Sequence, residues 1–142
     1  MLVNANCTIF NKYISAGAEV YQRTQIVDPD GGYSVAWENR KGANVLQTGG
    51  NIAADAAAIY IPIATHPEYL APKAWQALVD KSGNWTLQTG DYIVKGLVTD
   101  EITGAFTISS LKAKYDDVLQ ITSVDRYDAG EADMHHFRVG AK

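Results

Sequence analysis

The stretch DVLQITSVDRY (residues 117–127) decides the fold. Apolar and polar side chains alternate along it, which is the period of a half-buried β-strand. The turn-rich segment DAGEAD (128–133) follows, and MHHFRVG (134–140) then reads as a second strand. Two strand-like runs on either side of a short turn predict a β-hairpin. The end of the sequence is therefore predicted to be an antiparallel pair of strands.

Further strand-like runs fill most of the remaining sequence. They are NCTIFNKY (6–13), EVYQRTQIV (19–27), YSVAWEN (33–39), AAIYIPI (57–63) and GDYIVKGLV (90–98). The segment DPDGG (28–32) predicts a hairpin between the second and third of these runs, because Pro29 presets its own φ and glycine accepts a positive φ. Pro62 places its strand at a sheet edge or at a bulge.

One segment has helical character. Pro72 suits a first helical turn, and Trp75, Leu78 and Val79 share a face, so a short helix is predicted near residues 72–79. The run AFTISSLKAKY (105–115) is ambiguous and reads as a strand followed by a polar stretch. About seven or eight short antiparallel strands with one short helix indicate a mainly β single domain over residues 1–142, of the kind found in closed barrels or sandwiches.

Composition and charge argue against several classes of protein. The chain carries 12 Lys and Arg against 16 Asp and Glu, a net charge of −4, and no patch is basic enough to grip nucleic-acid phosphates. Cys7 is the only cysteine, so neither a disulfide within the chain nor a cysteine-based zinc site is predicted. The opening residues lack the features of a signal peptide. The longest apolar run, at 56–64, is about half of a membrane span.

The adjacent histidines raise the question of a metal site. Three aspartates stand just upstream of them: Asp125, Asp128 and Asp133. Successive side chains of a strand point to opposite faces, so His135 and His136 are not expected to share one ion. His66 lies far away in a proline-flanked loop. A structural or interface role is therefore favoured, and a small metal-dependent enzyme or ligand-binding barrel using these histidines is the alternative from another class.

Catalytic and cofactor motifs do not occur in the sequence. It has no nucleophile elbow, phosphate loop or dinucleotide fingerprint, so no catalytic residue and no cofactor are predicted. Aromatic and arginine side chains are instead typical anchors of protein interfaces. The Phe137 face of the last strand is predicted to close the barrel, and the opposite face to meet a neighbour. The candidate interface residues are Trp37, Met134, His136, Arg138 and Lys142. A plain core position is the other, favoured interpretation of the aromatic side chains.

Several segments resemble small minor capsid, or head–tail joining, proteins of tailed bacteriophages. They are MLVNANCTIFNKY (1–13), IYIPI (59–63), LQTGDYIVKG (87–96), YDDVLQITSVDRYDAG (115–130) and MHHFRVGAK (134–142). The closing hairpin, with its aromatic-and-histidine strand and short basic tail, is similar to the last hairpin of head-closure (stopper) proteins. The resemblance implies a small β-barrel that forms a homo-oligomeric ring in the virion neck. Such a ring lies between the portal with its adaptor and the tail or tail-terminator.

The resemblance also implies what the ring does. It helps to keep packaged DNA in the head, lets genomic DNA pass without sequence-specific binding, and offers a docking surface to the tail. The chain would be made in the host cytoplasm and would not associate with a membrane. A tail-terminator or tail-completion subunit, or a minor protein of the capsid surface, is the alternative within the same class.

The segment 39–56 is predicted to be a long loop, a kind of segment that tends to be functional or mobile in compact domains. In head-closure proteins a loop in a comparable place points into the channel of the ring. The resemblance therefore implies a set of candidate channel residues: Arg40, Lys41, Asn44, Gln47 and Asn51. A mobile surface loop is the other interpretation of the same segment.

Overall fold

The computed structural model describes residues 2–39, 45–46, 50–51 and 56–142. Its strands are β1 (Cys7–Ser15), β2 (Ala18–Ile26), β3 (Ala36–Asn39), β4 (Val45–Leu46), β5 (Gly50–Asn51), β6 (Ala57–Pro62), β7 (Tyr92–Lys95), β8 (Val118–Tyr127) and β9 (His136–Ala141). Its helices are α1 (Pro72–Gln76) and α2 (Ile108–Lys114), with a 3₁₀ turn at Ala132–Met134. The prediction of a mainly β domain with a short helix is confirmed.

Seven strands form one antiparallel sheet in the order β2-β1-β7-β8-β9-β6-β3. Every one of these strands contributes to a single buried cluster, including Ile9, Ile26, Trp37, Ile59, Ile93, Ile121 and Phe137. Because both edge strands reach the same core, the sheet must be strongly curled. The predicted closure into a barrel is not observed, since no ladder joins β2 to β3 in the part of the chain described.

The gap beside β3 is spanned by a single antiparallel bridge between Ala5 and Val35. The amide of Val35 lies 3.0 Å from the carbonyl oxygen of Ala5, and the reciprocal distance is 3.1 Å. The side chain of Asn4 adds two bonds to the backbone of Trp37: its Oδ1 accepts from the amide at 2.7 Å and its Nδ2 donates to the carbonyl at 3.1 Å. We call this short contact the seam. It holds the open side of the sheet without a strand ladder.

The first hairpin differs from the prediction. The segment DPDGG does not turn a hairpin, because β2 pairs with β1 and lies at the opposite end of the sheet from β3. The turn is instead made by Ala16 and Gly17, with φ values of 51° and 79°. Two successive residues with positive φ are typical of a type I′ turn, whose twist matches that of the paired strands. Alanine is uncommon in this conformation, so the sequence gives little sign of the turn.

The predicted C-terminal hairpin is confirmed, since β8 pairs with β9 in antiparallel fashion. The pairing is irregular at Thr122: Ile121 stands opposite Ala141, whereas Ser123 stands opposite Gly140. Such a β-bulge inserts one extra residue and reverses the alternation of faces beyond it. Val124, rather than Ser123, therefore packs against the core alongside Ile121.

The helices also depart from the predictions. Helix α1 begins at Pro72 as expected and buries Trp75, but it ends at Gln76, and Val79 is fully exposed rather than sharing the buried face. Helix α2 replaces the ambiguous strand. Thr107 and Ser110 form a capping box, in which each hydroxyl accepts the other residue's amide at 3.3 Å. The buried Leu111 then packs on the outer side of β1 and β7.

The predicted 39–56 loop contains one short pairing, in which Val45 stands opposite Asn51 across β4 and β5. Of the candidate channel residues, only Asn51 is described, through this backbone pairing. The other four lie outside the described residues: Arg40, Lys41, Asn44 and Gln47. Their role in a channel stays a prediction. None of the helices in the described ranges is long and apolar enough to cross a membrane.

Candidate functional site

The outer surface of the C-terminal hairpin brings two predicted interface residues together with side chains of the neighbouring strands. In the sheet, Arg138 of β9 stands between Tyr60 of β6 and Asp125 of β8, while His136 stands opposite Tyr127. We call these residues the outer hairpin face: Tyr60, Asp125, Tyr127, His136 and Arg138. The prediction that His136 and Arg138 share one face, with Phe137 buried on the other, agrees with this placement.

The bulge at Thr122 makes this arrangement possible. Without the extra residue, Asp125 and Tyr127 would point to the same side as Ile121, which is in the core. With the bulge, both side chains turn outward and are exposed. The irregularity in β8 thus moves a carboxylate and an aromatic ring from the inner to the outer surface, where they meet β9.

His136 lies within a row of aromatic rings. Its ring stacks on Tyr127 with centroids 5.0 Å apart and planes at 18°, and the Tyr60 ring is 5.8 Å away on the other side. The His136 Nδ1 atom lies 3.1 Å from the carbonyl oxygen of Met134. These contacts restrict the ring before any partner binds. Rigid aromatic side chains bury a large area at a small entropic cost, which is why they anchor interfaces.

Arg138 supplies a permanent positive charge in the same row. A hydrogen bond with the Tyr60 side chain raises the pKa of Arg138 above its ordinary value; desolvation opposes this, and the Asp125 carboxylate adds to it. The guanidinium carries five N–H donors, so some remain for a partner. Arginine and tyrosine are, with tryptophan, the residue types enriched among those that dominate binding energy.

The other predicted interface residues lie elsewhere. Met134 is 63% exposed in the 3₁₀ turn just before β9, next to the outer hairpin face. Lys142 lies beyond the opposite end of β9, where its backbone pairs with Gln120. Trp37 is only 3% exposed, and its indole nitrogen donates to Asn39 Oδ1 at 2.9 Å. Of the two interpretations of Trp37, an interface anchor or a core residue, the structure favours the core, because its ring packs in the buried cluster beneath β3.

The histidines occupy separate places. His66 is buried, and its Nδ1 lies 3.1 Å from Glu68 Oε1, which also accepts the indole N–H of Trp85 at 3.0 Å. Desolvation raises the pKa of Glu68, but hydrogen bonds from Trp85 and His66 outweigh it, so the pKa lies below its ordinary value. The Nε2 of His135 instead faces the carbonyl of Gly130 at 3.3 Å. In the described residues, no group of three or more His, Cys, Asp or Glu is placed to hold a metal ion.

A buried polar cluster, which the sequence did not reveal, lies between β1 and the start of β7. Asn11 Nδ2 donates to the carbonyl of Thr86 at 2.8 Å and to Asp91 Oδ2 at 3.0 Å, while its Oδ1 accepts the Thr86 amide at 3.2 Å. Gln88 Nε2 gives Asp91 a second bond at 2.7 Å. Burial nevertheless dominates at this carboxyl group and raises the pKa of Asp91. The cluster fixes the LQTGD segment against β1.

Asp91→Asn is expected to remove a pH-dependent loss of stability. Because the pKa of Asp91 is higher in the folded than in the unfolded state, the folded state binds the proton more tightly. Its contribution to the free energy of unfolding therefore falls as pH rises from the unfolded pKa through the folded pKa. Urea unfolding should be measured at a series of pH values. The free energy of unfolding of the variant should rise relative to that of the wild type over this interval, and the difference should stay constant above it.

Asp80→Asn is the control for this measurement. Hydrogen bonds from Ser82 lower the pKa of Asp80, so its carboxylate stabilises the fold above the unfolded pKa and loses that effect as pH falls. The stability difference between this variant and the wild type should therefore change with pH in the opposite sense. A difference for Asp91→Asn that stays constant with pH would contradict the account of Asp91.

A family model matches residues 2–142, a range that includes both the seam and β9. The family is described as a family of unknown function (DUF6751). No curated protein and no solved structure matches the chain. The matched range includes every residue of the outer hairpin face.

Proposed function

This chain belongs to the family of unknown function DUF6751, and we propose that it is a non-enzymatic structural virion protein of a tailed bacteriophage. It forms a ring in the neck, at the head–tail junction, helps to close the head after DNA packaging and offers the tail its docking surface. The resemblance of the segments quoted above to head-closure proteins supports this role. The structural observation that carries it is the outer hairpin face, a restrained row of aromatic and charged side chains.

A ring of identical subunits requires two different complementary patches on each subunit, because each contact is head-to-tail and closes by rotation. The outer hairpin face supplies one such patch. Its rings are held by neighbouring side chains, so a partner surface would bury them with little further ordering. Arg138 adds a directional charge that a carboxylate on the neighbouring subunit can meet in bidentate fashion.

The remaining partners follow from the position in the neck. The ring contacts the portal or its adaptor on one side and the tail or tail-terminator on the other, and genomic DNA passes through it. The net charge of −4 supports this arrangement, since an acidic conduit does not hold phosphates. No cofactor is needed for such a role.

Arg138→Glu is expected to reduce incorporation into neck complexes by about tenfold or more, because it reverses the charge at the centre of a binding surface. The full chain is co-produced with the portal and neck proteins of the same phage. Portal-containing particles are then isolated, and the copies of this chain in each are measured by mass and electron microscopy. Lys73→Glu is the matched control, since Lys73 is an exposed cation on α1, whereas the outer hairpin face is formed by β6, β8 and β9.

Two results would overturn the proposal: a wild-type chain that never joins portal-containing particles, or Arg138→Glu incorporated as well as Lys73→Glu. Circular dichroism of both variants checks that the fold is retained. A labelled chain in intact virions gives the position. Density on the capsid shell or at the far end of the tail, instead of the neck, would assign the chain to the alternative structural roles.

A further inference from the structure

Strand β2 has a free edge. In the two-residue turn Ala16–Gly17, the flanking residues Ser15 and Ala18 form the closing hydrogen-bonded pair. Counting from that pair, every second residue of β2 turns its N–H and C=O toward β1. The alternate residues turn these groups away from the sheet: Glu19, Tyr21, Arg23 and Gln25. Within the described ranges, none of these four amides donates a hydrogen bond.

The other end of the sheet is not equally open. The backbone of Trp37, in β3, is bonded on both its amide and its carbonyl by the side chain of Asn4. A neighbouring subunit could extend the sheet at β3 only by displacing the seam. Strand β2, with nine residues, is therefore the edge at which another strand can add directly.

We infer that two copies of the free chain pair through their β2 edges, as antiparallel strands centred on Tyr21. In this register Glu19 stands opposite Arg23 of the partner subunit, and the two-fold symmetry repeats that opposite-charge pair. Glu19, Tyr21 and Arg23 all turn their backbone N–H and C=O groups away from β1. Each opposite pair of these residues can therefore form the hydrogen bonds of the new ladder. Charge complementarity thus selects a second copy of this chain as the occupant.

The alternative registers lack this complementarity. Centring the pair on Arg23 would bring two arginines together, and centring it on Glu19 would bring two glutamates together. Registers centred on Val20 or Gln22 place Glu19 opposite Tyr21 or Gln25, so that neither charge stands opposite its complement. Opposite charges directly across antiparallel strands stabilise the pairing, and like charges destabilise it.

Both charged side chains can take part. The Glu19 carboxylate is 64% exposed and lies 3.8 Å from Lys12 Nζ. Arg23 Nη2 lies 3.9 Å from Glu101 Oε1, and Nη1 donates to the carbonyl of Thr99. Ion pairs of this length at the surface hold a side chain only weakly. A carboxylate of the partner subunit can therefore approach Arg23 beside Glu101.

Apolar area adds to the contact. An open cleft of about 620 Å³ runs beside β2 and is lined in part by Tyr21, Tyr92, Ile102 and Ile108. The Tyr21 and Tyr92 rings meet edge to face with centroids 6.0 Å apart. The proposed register brings the partner's Tyr21 directly across from this pair, at the margin of the cleft. Aromatic residues opposite one another are among the stabilising cross-strand pairs.

The pair is two-fold symmetric and closes on itself, so it is not the contact that propagates a ring. It goes beyond the proposed function and does not depend on the outer hairpin face. Its effect is to cover the free edge of β2 before assembly, when an unpaired strand is most prone to wrong association.

A charge-exchange series tests the inference. Sedimentation equilibrium of the purified full chain over a range of concentrations should show a monomer–dimer equilibrium. Arg23→Glu and Glu19→Arg should each raise the dissociation constant about tenfold or more, since each creates two like-charge pairs per dimer. The double variant restores both opposite-charge pairs and should return the constant to within about threefold of the wild type. Lys73→Glu, which changes the charge of an exposed side chain on α1, should leave it unchanged.

The outcomes that overturn the inference are distinct. They are a wild-type chain that stays monomeric at every concentration, single variants that dimerise as well as the wild type, and a double variant no better than the singles. Circular dichroism confirms that each variant is folded. No portal or tail protein is present in this experiment, so its failure would leave the neck proposal standing, and the reverse also holds.

Discussion

Trp85→Ala is expected to lower the free energy of unfolding by about 3–5 kcal/mol, the range found when a large buried aromatic side chain is removed. Trp85 is completely buried. Its ring packs edge to face against Tyr69 at 5.2 Å and His66 at 5.9 Å, and its indole N–H donates to Glu68. Truncation therefore leaves a cavity and also takes a hydrogen bond from a partly buried carboxylate.

Urea unfolding followed by far-ultraviolet circular dichroism measures this loss without depending on tryptophan fluorescence. Trp85→Phe separates the two causes, because it keeps most of the ring but removes the N–H. It should cost about 1–3 kcal/mol, mainly for the unpaired acceptor. Val79→Ala is the control at an exposed apolar site and should change stability by less than about 0.5 kcal/mol. Equal losses for both Trp85 variants would contradict the packing account.

Asn11→Ala is expected to cost about 3 kcal/mol or more, because several buried polar groups lose their partners at once. The Asn11 side chain is fully buried and serves both the amide and the carbonyl of Thr86, as well as the Asp91 carboxylate. Alanine leaves the space of the Asn11 side chain empty and forms none of these hydrogen bonds. The segment that carries Thr86 and Asp91 then loses its attachment to β1.

Gln76→Ala is the matched control, since the Gln76 amide also bonds the backbone of β1, through Lys12, but at an exposed position. Its loss should be within about 1 kcal/mol, because water replaces the bond. The double variant Asn11→Ala with Asp91→Asn should lose less free energy of unfolding than the changes of the two single variants add up to, as expected of groups in one network. A small, additive effect of Asn11→Ala would show that the cluster is not a unit.

The sequence predicted those strands whose alternation is strong and local. The C-terminal hairpin is the best case, because a short polar turn separates its two strands and the Phe137 face is clearly apolar. The bulge at Thr122 was not predictable, since an extra residue in a run of small polar side chains leaves no mark in composition. The hairpin at Ala16–Gly17 was missed because DPDGG is a much stronger turn signal, and the pairing of strands was decided by the shared core.

The sequence of helix α2 does contain a helical pattern. Thr107 and Ser110 have the spacing of a capping box, and Ile108, Leu111 and Tyr115 follow at helical intervals. The β-branched residues at its start obscured this pattern. Within the candidate site, His136 and Arg138 follow from strand alternation alone. Tyr60 does not, because its place beside Arg138 depends on β6 and β9 pairing across most of the chain, which no local pattern encodes.

The seam gives the domain a preferred line of parting. Every other separation of neighbouring strands in the seven-stranded sheet breaks a strand ladder, whereas here one backbone bridge and a few side-chain bonds hold the two sides. The Asn4 side chain bonds the backbone of Trp37, the Ser34 amide donates to Asn6 Oδ1, and the Ser34 hydroxyl donates to the carbonyl of Ile26. Amide protons along the seam are therefore the ones expected to exchange with solvent by local opening, before any global unfolding. The two sides of the curled sheet can separate locally at the seam. The core beneath Trp37 is the part of the interior that such an opening exposes to solvent first.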